Sequence, residues 1–149
     1  MLKTGTIITF LIISMQFVRG QECIISYYPE SNQVREKFLA IIINDDTIKE
    51  GKYRIFYEDG TLWQKGIFKN DLLQGTWYDY YPDGNIKQIL PYNMGKMDGL
   101  YLSFFPDSIP HQRIEYFNDV PHGQSEIYYS NGNVQEISEY VNGYLHGTH

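Results

Sequence analysis

Two histidines, His122 and His146, stand 24 residues apart, each just ahead of a glycine. A pair of imidazoles is a common start for a zinc site, where ring nitrogens lie about 2 Å from the ion. Three aspartates, Asp59, Asp83 and Asp107, repeat at the same interval, and paired carboxylates suit calcium or, at roughly 5 to 9.5 Å apart, glycoside hydrolysis. Four aromatic residues, Tyr57, Tyr81, Phe105 and Tyr129, keep the interval too. Rings in a row stack on sugars or anchor a protein partner.

Which of these chemistries is available depends on the elements that carry the residues. Gly51, Gly75, Gly99, Gly123 and Gly147 hold an unbroken period of 24. The period also carries the pairs Phe56-Tyr57, Tyr80-Tyr81, Phe104-Phe105 and Tyr128-Tyr129, and a second row at Phe68, Tyr92, Tyr116 and Tyr140. One turn signal recurs at Glu58-Asp59-Gly60, Pro82-Asp83-Gly84, Pro106-Asp107-Ser108 and Ser130-Asn131-Gly132. A second recurs at Asn70-Asp71, Met94-Gly95, Asn118-Asp119 and Asn142-Gly143. Aromatic and β-branched residues between alternating turns read as one β-hairpin per repeat. The expected fold is all-β: an elongated single-sheet array of hairpins, with copies at 51–74, 75–98, 99–122 and 123–146 and the start of a fifth. Upstream, 21–50 reads as a degenerate capping repeat and connector. There Tyr27-Tyr28-Pro29-Glu30 echoes Tyr80-Tyr81-Pro82-Asp83, and an apolar strand, Phe38 to Ile43, leads into a turn at Asn44-Asp45-Asp46.

Neighbouring hairpins in such an array are offset by two strands, roughly 9 to 10 Å. That is too far for two histidines to share a zinc ion or for successive aspartates to act as a pair. His122 and His146 therefore read as structural or solvent-facing, and the aspartates as turn residues. No Gly-x-Ser-x-Gly elbow, phosphate-cradling loop or His-Glu-x-x-His helix occurs. No catalytic residue, metal or cofactor is assigned, and the expectation is a protein that is not an enzyme.

The Pro-Asp-Gly turns suit a type I turn closed by a left-handed glycine, which pairs Tyr81 with Asn85 and Tyr80 with Ile86. A two-residue type I′ loop would shift the register by one; Pro82 and Pro106 favour the first. Under it, one face carries Phe56, Tyr80, Phe104 and Tyr128, Leu62, Ile86, Pro110 and Val134, and the Phe68 row as a core. The row Tyr57, Tyr81, Phe105 and Tyr129 then faces the other way among Lys65, Lys87, His111, Arg113, Gln135 and Glu139, as a candidate binding surface. Cross-strand aromatic pairing that stabilises a single sheet is the competing account of this row.

The 149 residues amount to about one domain. Twelve basic against 18 acidic residues, a net −6, argue against an electrostatic footprint for nucleic acid or an anionic membrane surface. Lys3 precedes an apolar run, Ile7 to Val18, too short for the roughly 20 residues of a membrane span. It reads as a signal peptide over 1–20, cleaved after Gly20, so the product is expected to be exported to a periplasmic, cell-envelope or extracellular site. Cys23 is the only cysteine, which excludes an internal disulfide. Gly20-Gln21-Glu22 before it departs from the small residues of a lipidation signal. Gly147-Thr148 reopens a repeat, as expected of a fragment or a truncated frame.

The unit from Gly123 to Gly147, GQSEIYYSNGNVQEISEYVNGYLHG, resembles the MORN-variant repeat, whose bacterial arrays are grouped with the YwqK-type antitoxin family. The likeness covers about 51–149, with Ser108, Pro110, Gln74 and Asp98 departing from the motif. It implies an array of hairpins that serves as a binding or scaffolding surface. The expected function is a secreted, non-enzymatic, protein-binding repeat protein. The alternatives are an antitoxin or immunity-type protein that neutralises a toxin, and a carbohydrate-binding envelope protein with a glycan partner.

Overall fold

The computed structural model describes residues 18–148; apart from Val18, the apolar run expected as a signal lies outside them. The described chain forms β1 (Val18–Tyr27), β2 (Val34–Ile43), β3 (Asp46–Phe56), β4 (Leu62–Lys69), β5 (Leu72–Tyr80), β6 (Ile86–Asn93), β7 (Lys96–Met97), β8 (Gly99–Phe104), β9 (Pro110–Phe117), β10 (Val120–Tyr128), β11 (Val134–Val141) and β12 (Tyr144–Thr148). All join one antiparallel sheet in sequence order. β7 and β8 follow the same neighbour, β6, and are separated at Asp98, whose N–H turns to the Pro91 carbonyl, 3.1 Å away. β1 starts at Val18, so a cut after Gly20 would remove its first three residues.

Two turn chemistries alternate along the meander. At one end of the sheet the Tyr81 N–H donates to Asn85 O (2.8 Å) and the Gly84 N–H to Tyr81 O (2.9 Å), with Gly84 at φ 88°. This is the type I turn closed by a left-handed residue, and Tyr80 pairs with Ile86 as the favoured register requires. Ser108 holds the glycine's place at φ 66°, and its turn still closes, with the Ser108 N–H 2.9 Å from Phe105 O. The Tyr28 turn carries one residue more and pairs Tyr27 with Val34. At the other end, Asn70-Asp71, Met94-Gly95, Asn118-Asp119 and Asn142-Gly143, with Asn44-Asp45 before them, have positive φ at both residues. That is the type I′ turn, whose twist matches the flanking strands.

The period of 24 has a cross-strand cause. Gly51 pairs with Phe68, Gly75 with Tyr92, Gly99 with Tyr116 and Gly123 with Tyr140, all four glycines at φ between 71° and 119°. The strand bulges at Gly51, Gly75 and Gly123 and breaks between β7 and β8 beside Gly99, in a backbone state that side chains disfavour.

The packed face centres on these rings. Tyr53, Phe68, Trp77 and Tyr92 form a cluster with centroids 5.0 to 6.4 Å apart. Trp77, only 2% exposed, lies over Gly66, where a Cβ would stand 2.1 Å from the indole. Its Nε1–H donates to Ile67 O at 3.2 Å. Ala40 and Ile114 are also buried, as are Ser103, Ser125 and Ser138. Lys49 takes the place that Leu73 and Met97 hold in later repeats. Its ammonium lies 4.9 to 5.2 Å from the Phe38, Tyr53 and Phe68 ring centroids and 3.6 Å from Glu36. Burial and the Glu36 carboxylate push the Tyr53 phenol up to about 12.

The face expected for the aromatic pairs is reversed. Asp79 pairs with Gln88 but Tyr80 with Ile86, so Lys87 is an extra residue in its strand; Trp63, His111 and Gln135 are its counterparts. One inserted residue reverses the alternation of side chains beyond it. Tyr57, Tyr81, Phe105 and Tyr129 consequently share the face of Trp77 and Phe68. Tyr80 lies on the opposite face, stacked on Tyr78 at 6.5 Å beneath the Lys65 ammonium. Val134, expected in the core, is 51% exposed there.

Candidate functional site

The aromatic row and the bulge residues together build a ledge along the type I end of the packed face. Tyr57 stacks on Trp63 at 5.7 Å, the Lys87 ammonium lies 5.7 Å over Tyr81, and Phe105 meets His111 at 4.5 Å. In the fourth unit Tyr129, 51% exposed, is followed by Gln135 in the bulge. Three units thus offer an aromatic ring carrying a different side chain, indole, ammonium or imidazole, and the fourth has an amide at the same bulge position. Units are spaced about 10 Å apart by two strands.

The rings have a structural duty that their spacing did not reveal. The Tyr28 hydroxyl donates to Phe56 O (2.7 Å), that of Tyr57 to Tyr80 O (2.8 Å), and that of Tyr81 to Phe104 O (2.8 Å). Each tyrosine thereby clasps the next hairpin. Phe105 has no hydroxyl, and its ring packs on His111 instead. At the opposite end, the N–H groups of Asp71, Gly95, Asp119 and Gly143 donate to the carbonyls of Lys49, Leu73, Met97 and Pro121, at 2.8 to 3.0 Å. Both ends of the sheet are stitched from repeat to repeat. The signal for the clasp was in the sequence as Tyr at one fixed place; what it bonds to depends on the bulge, which was not anticipated.

Beneath the ledge runs a polar row. Gln64 Nε2–H donates to Asp79 Oδ1 at 2.8 Å, and Gln88 Nε2–H to the Tyr101 hydroxyl at 2.9 Å. Burial raises the Asp79 carboxyl above its ordinary range, opposed by the Gln64 hydrogen bond and the Lys87 charge. The Tyr57 phenol is raised by burial and by Asp79 and Asp59.

The other singled-out residues are dispersed. Asp59, Asp83 and Asp107 cap their own turns, accepting from the N–H two residues on at 2.8, 2.9 and 3.3 Å. His122 borders an open cleft of about 470 Å³ with Asp98, Glu115 and Phe117, but His146 does not. Among the described residues no three His, Cys, Asp or Glu side chains stand close enough to hold a metal ion. Cys23 is exposed on β1.

Residues 49–70, 73–94 and 121–142 each match the MORN repeat variant. The middle hairpin of β8 and β9 falls between matches and holds the departures at Ser108 and Pro110. No curated protein matches the chain.

Proposed function

We propose that the chain is an exported, non-catalytic scaffold that binds another protein along the ledge. The observation that carries this reading is the pairing of a constant ring with a varied bulge residue at Trp63, Lys87, His111 and Gln135. A regular platform with changing side chains suits the recognition of one extended protein surface, because aromatic and charged anchors dominate such interfaces. The three matches to a repeat variant agree with a scaffold, and toxin neutralisation is the narrower role implied by resemblance. The test is capture from the cell-envelope fraction with the parent chain and with Trp63→Ala/His111→Ala. A captured protein that the double variant no longer retains, with the far-UV circular dichroism spectrum unchanged, supports the reading; its identity separates a toxin from an envelope component. Equal capture by both chains would remove the ledge from the interface.

A further inference from the structure

The face opposite the ledge has its own order. Cross-strand partners share a face, and one row crosses the sheet as Lys37, Arg54, Lys65, then Tyr78, Ile89, Leu102, then Arg113, Glu126, Ile137. In the next row Lys52 pairs with Ile67, Thr76 with Pro91, Leu100 with Glu115 and Gln124 with Glu139. Strands β2–β4 thus hold four cations here, and β9–β11 hold Glu115, Glu126 and Glu139 with Arg113. Strands β5, β6 and β8 between them carry no charge in either row.

This grouping opposes local stability. Lys37, Arg54 and Lys65 are directly opposite one another, and like charges so placed repel. Among the described residues none of the four cations forms an ion pair; Glu126 takes Arg113 at 3.8 Å. Exposed apolar side chains also lie on this face, among them Ile25, Ile67, Phe117, Val134 and Val141.

We propose that this face binds a second copy of the chain, sheet against sheet. A two-fold axis parallel to the strands and through β6 lays β2–β4 of one copy over β9–β11 of the other. Row then falls on row: Arg54 meets Glu126, Lys52 lies over Gln124 between Glu115 and Glu139, Lys65 falls beside Arg113, and the uncharged pairs of β5, β6 and β8 in the two copies cover each other. An isologous contact requires this self-complementary order. Nine strands at about 4.8 Å and about 20 Å of strand length give roughly 860 Å² per copy, close to the ~800 Å² per partner of a stable interface. The ledge lies on the other face and stays open.

Sedimentation velocity on the full chain tests this. The expected species is a dimer of 17.5 kDa chains that weakens as salt rises. Lys52→Glu/Arg54→Glu should weaken it at least ~10-fold, as should Glu115→Lys/Glu139→Lys, and mixing the two reversed chains should restore a heterodimer. A parent chain that stays monomeric overturns the proposal, as does a dimer indifferent to both reversals. So does a monomer that binds heparin or anionic vesicles through the cations instead. Equal capture by the parent and by Trp63→Ala/His111→Ala, with the dimer intact, would fail the scaffold reading alone.

Discussion

At the scale of single residues, the array relies on groups held away from their ordinary behaviour. Tyr53 keeps its proton to about 12 when folded against about 10 when unfolded. Its contribution to stability is complete below pH 10 and is lost as pH rises from there through 12, because the unfolded chain releases the proton first. Urea midpoints taken across that window should fall for the parent and fall less steeply for Tyr53→Phe. Ser108 sits at φ 66°, where a side chain costs about 1 kcal/mol. Ser108→Gly should therefore raise stability by about that amount in a urea titration, and an unchanged midpoint would mean that the turn is not strained.

At the scale of elements, the hairpins cohere through one buried indole and a series of hydroxyl clasps. Trp77→Ala should cost about 3 to 5 kcal/mol, whereas Val134→Asp should cost under about 1 kcal/mol, being on exposed surface; chemical unfolding followed by circular dichroism checks the order. Tyr81→Phe should cost about 1 kcal/mol through the lost bond to Phe104 O, with hydrogen exchange rising first in β5–β8. The hairpins, both turn positions and the register of Tyr80 on Ile86 were legible because turn residues have specific backbone demands. The faces were not. Counting alternately from Ile86 to Tyr92 fails because the extra residue Lys87 lies between them and reverses the alternation within β6, and nothing in the residue types Trp63, Lys87, His111 and Gln135 announces a bulge. The ledge was therefore named by its rings, with Lys87, His111 and Gln135 counted among their neighbours and Trp63 not placed.

At the scale of the molecule, eleven strands lie on one continuous path, about 50 Å from edge to edge, and each hairpin touches only its neighbours. Mass spectrometry of chain recovered outside the cytoplasm should show residues 1–20 absent and Cys23 free of lipid. The intact leader would overturn the first expectation and a diacylglycerol adduct the second. The clasps at Tyr28, Tyr57 and Tyr81 have no successor at Phe105. Pulled from its two edge strands, the sheet is a row of links with one fastening missing, and the tear should start between β9 and β10, where Arg113 and Glu126 are the side-chain tie. Phe105→Tyr, placing a hydroxyl within reach of Tyr128 O, should raise the rupture force in an optical trap and move the first tear to another seam.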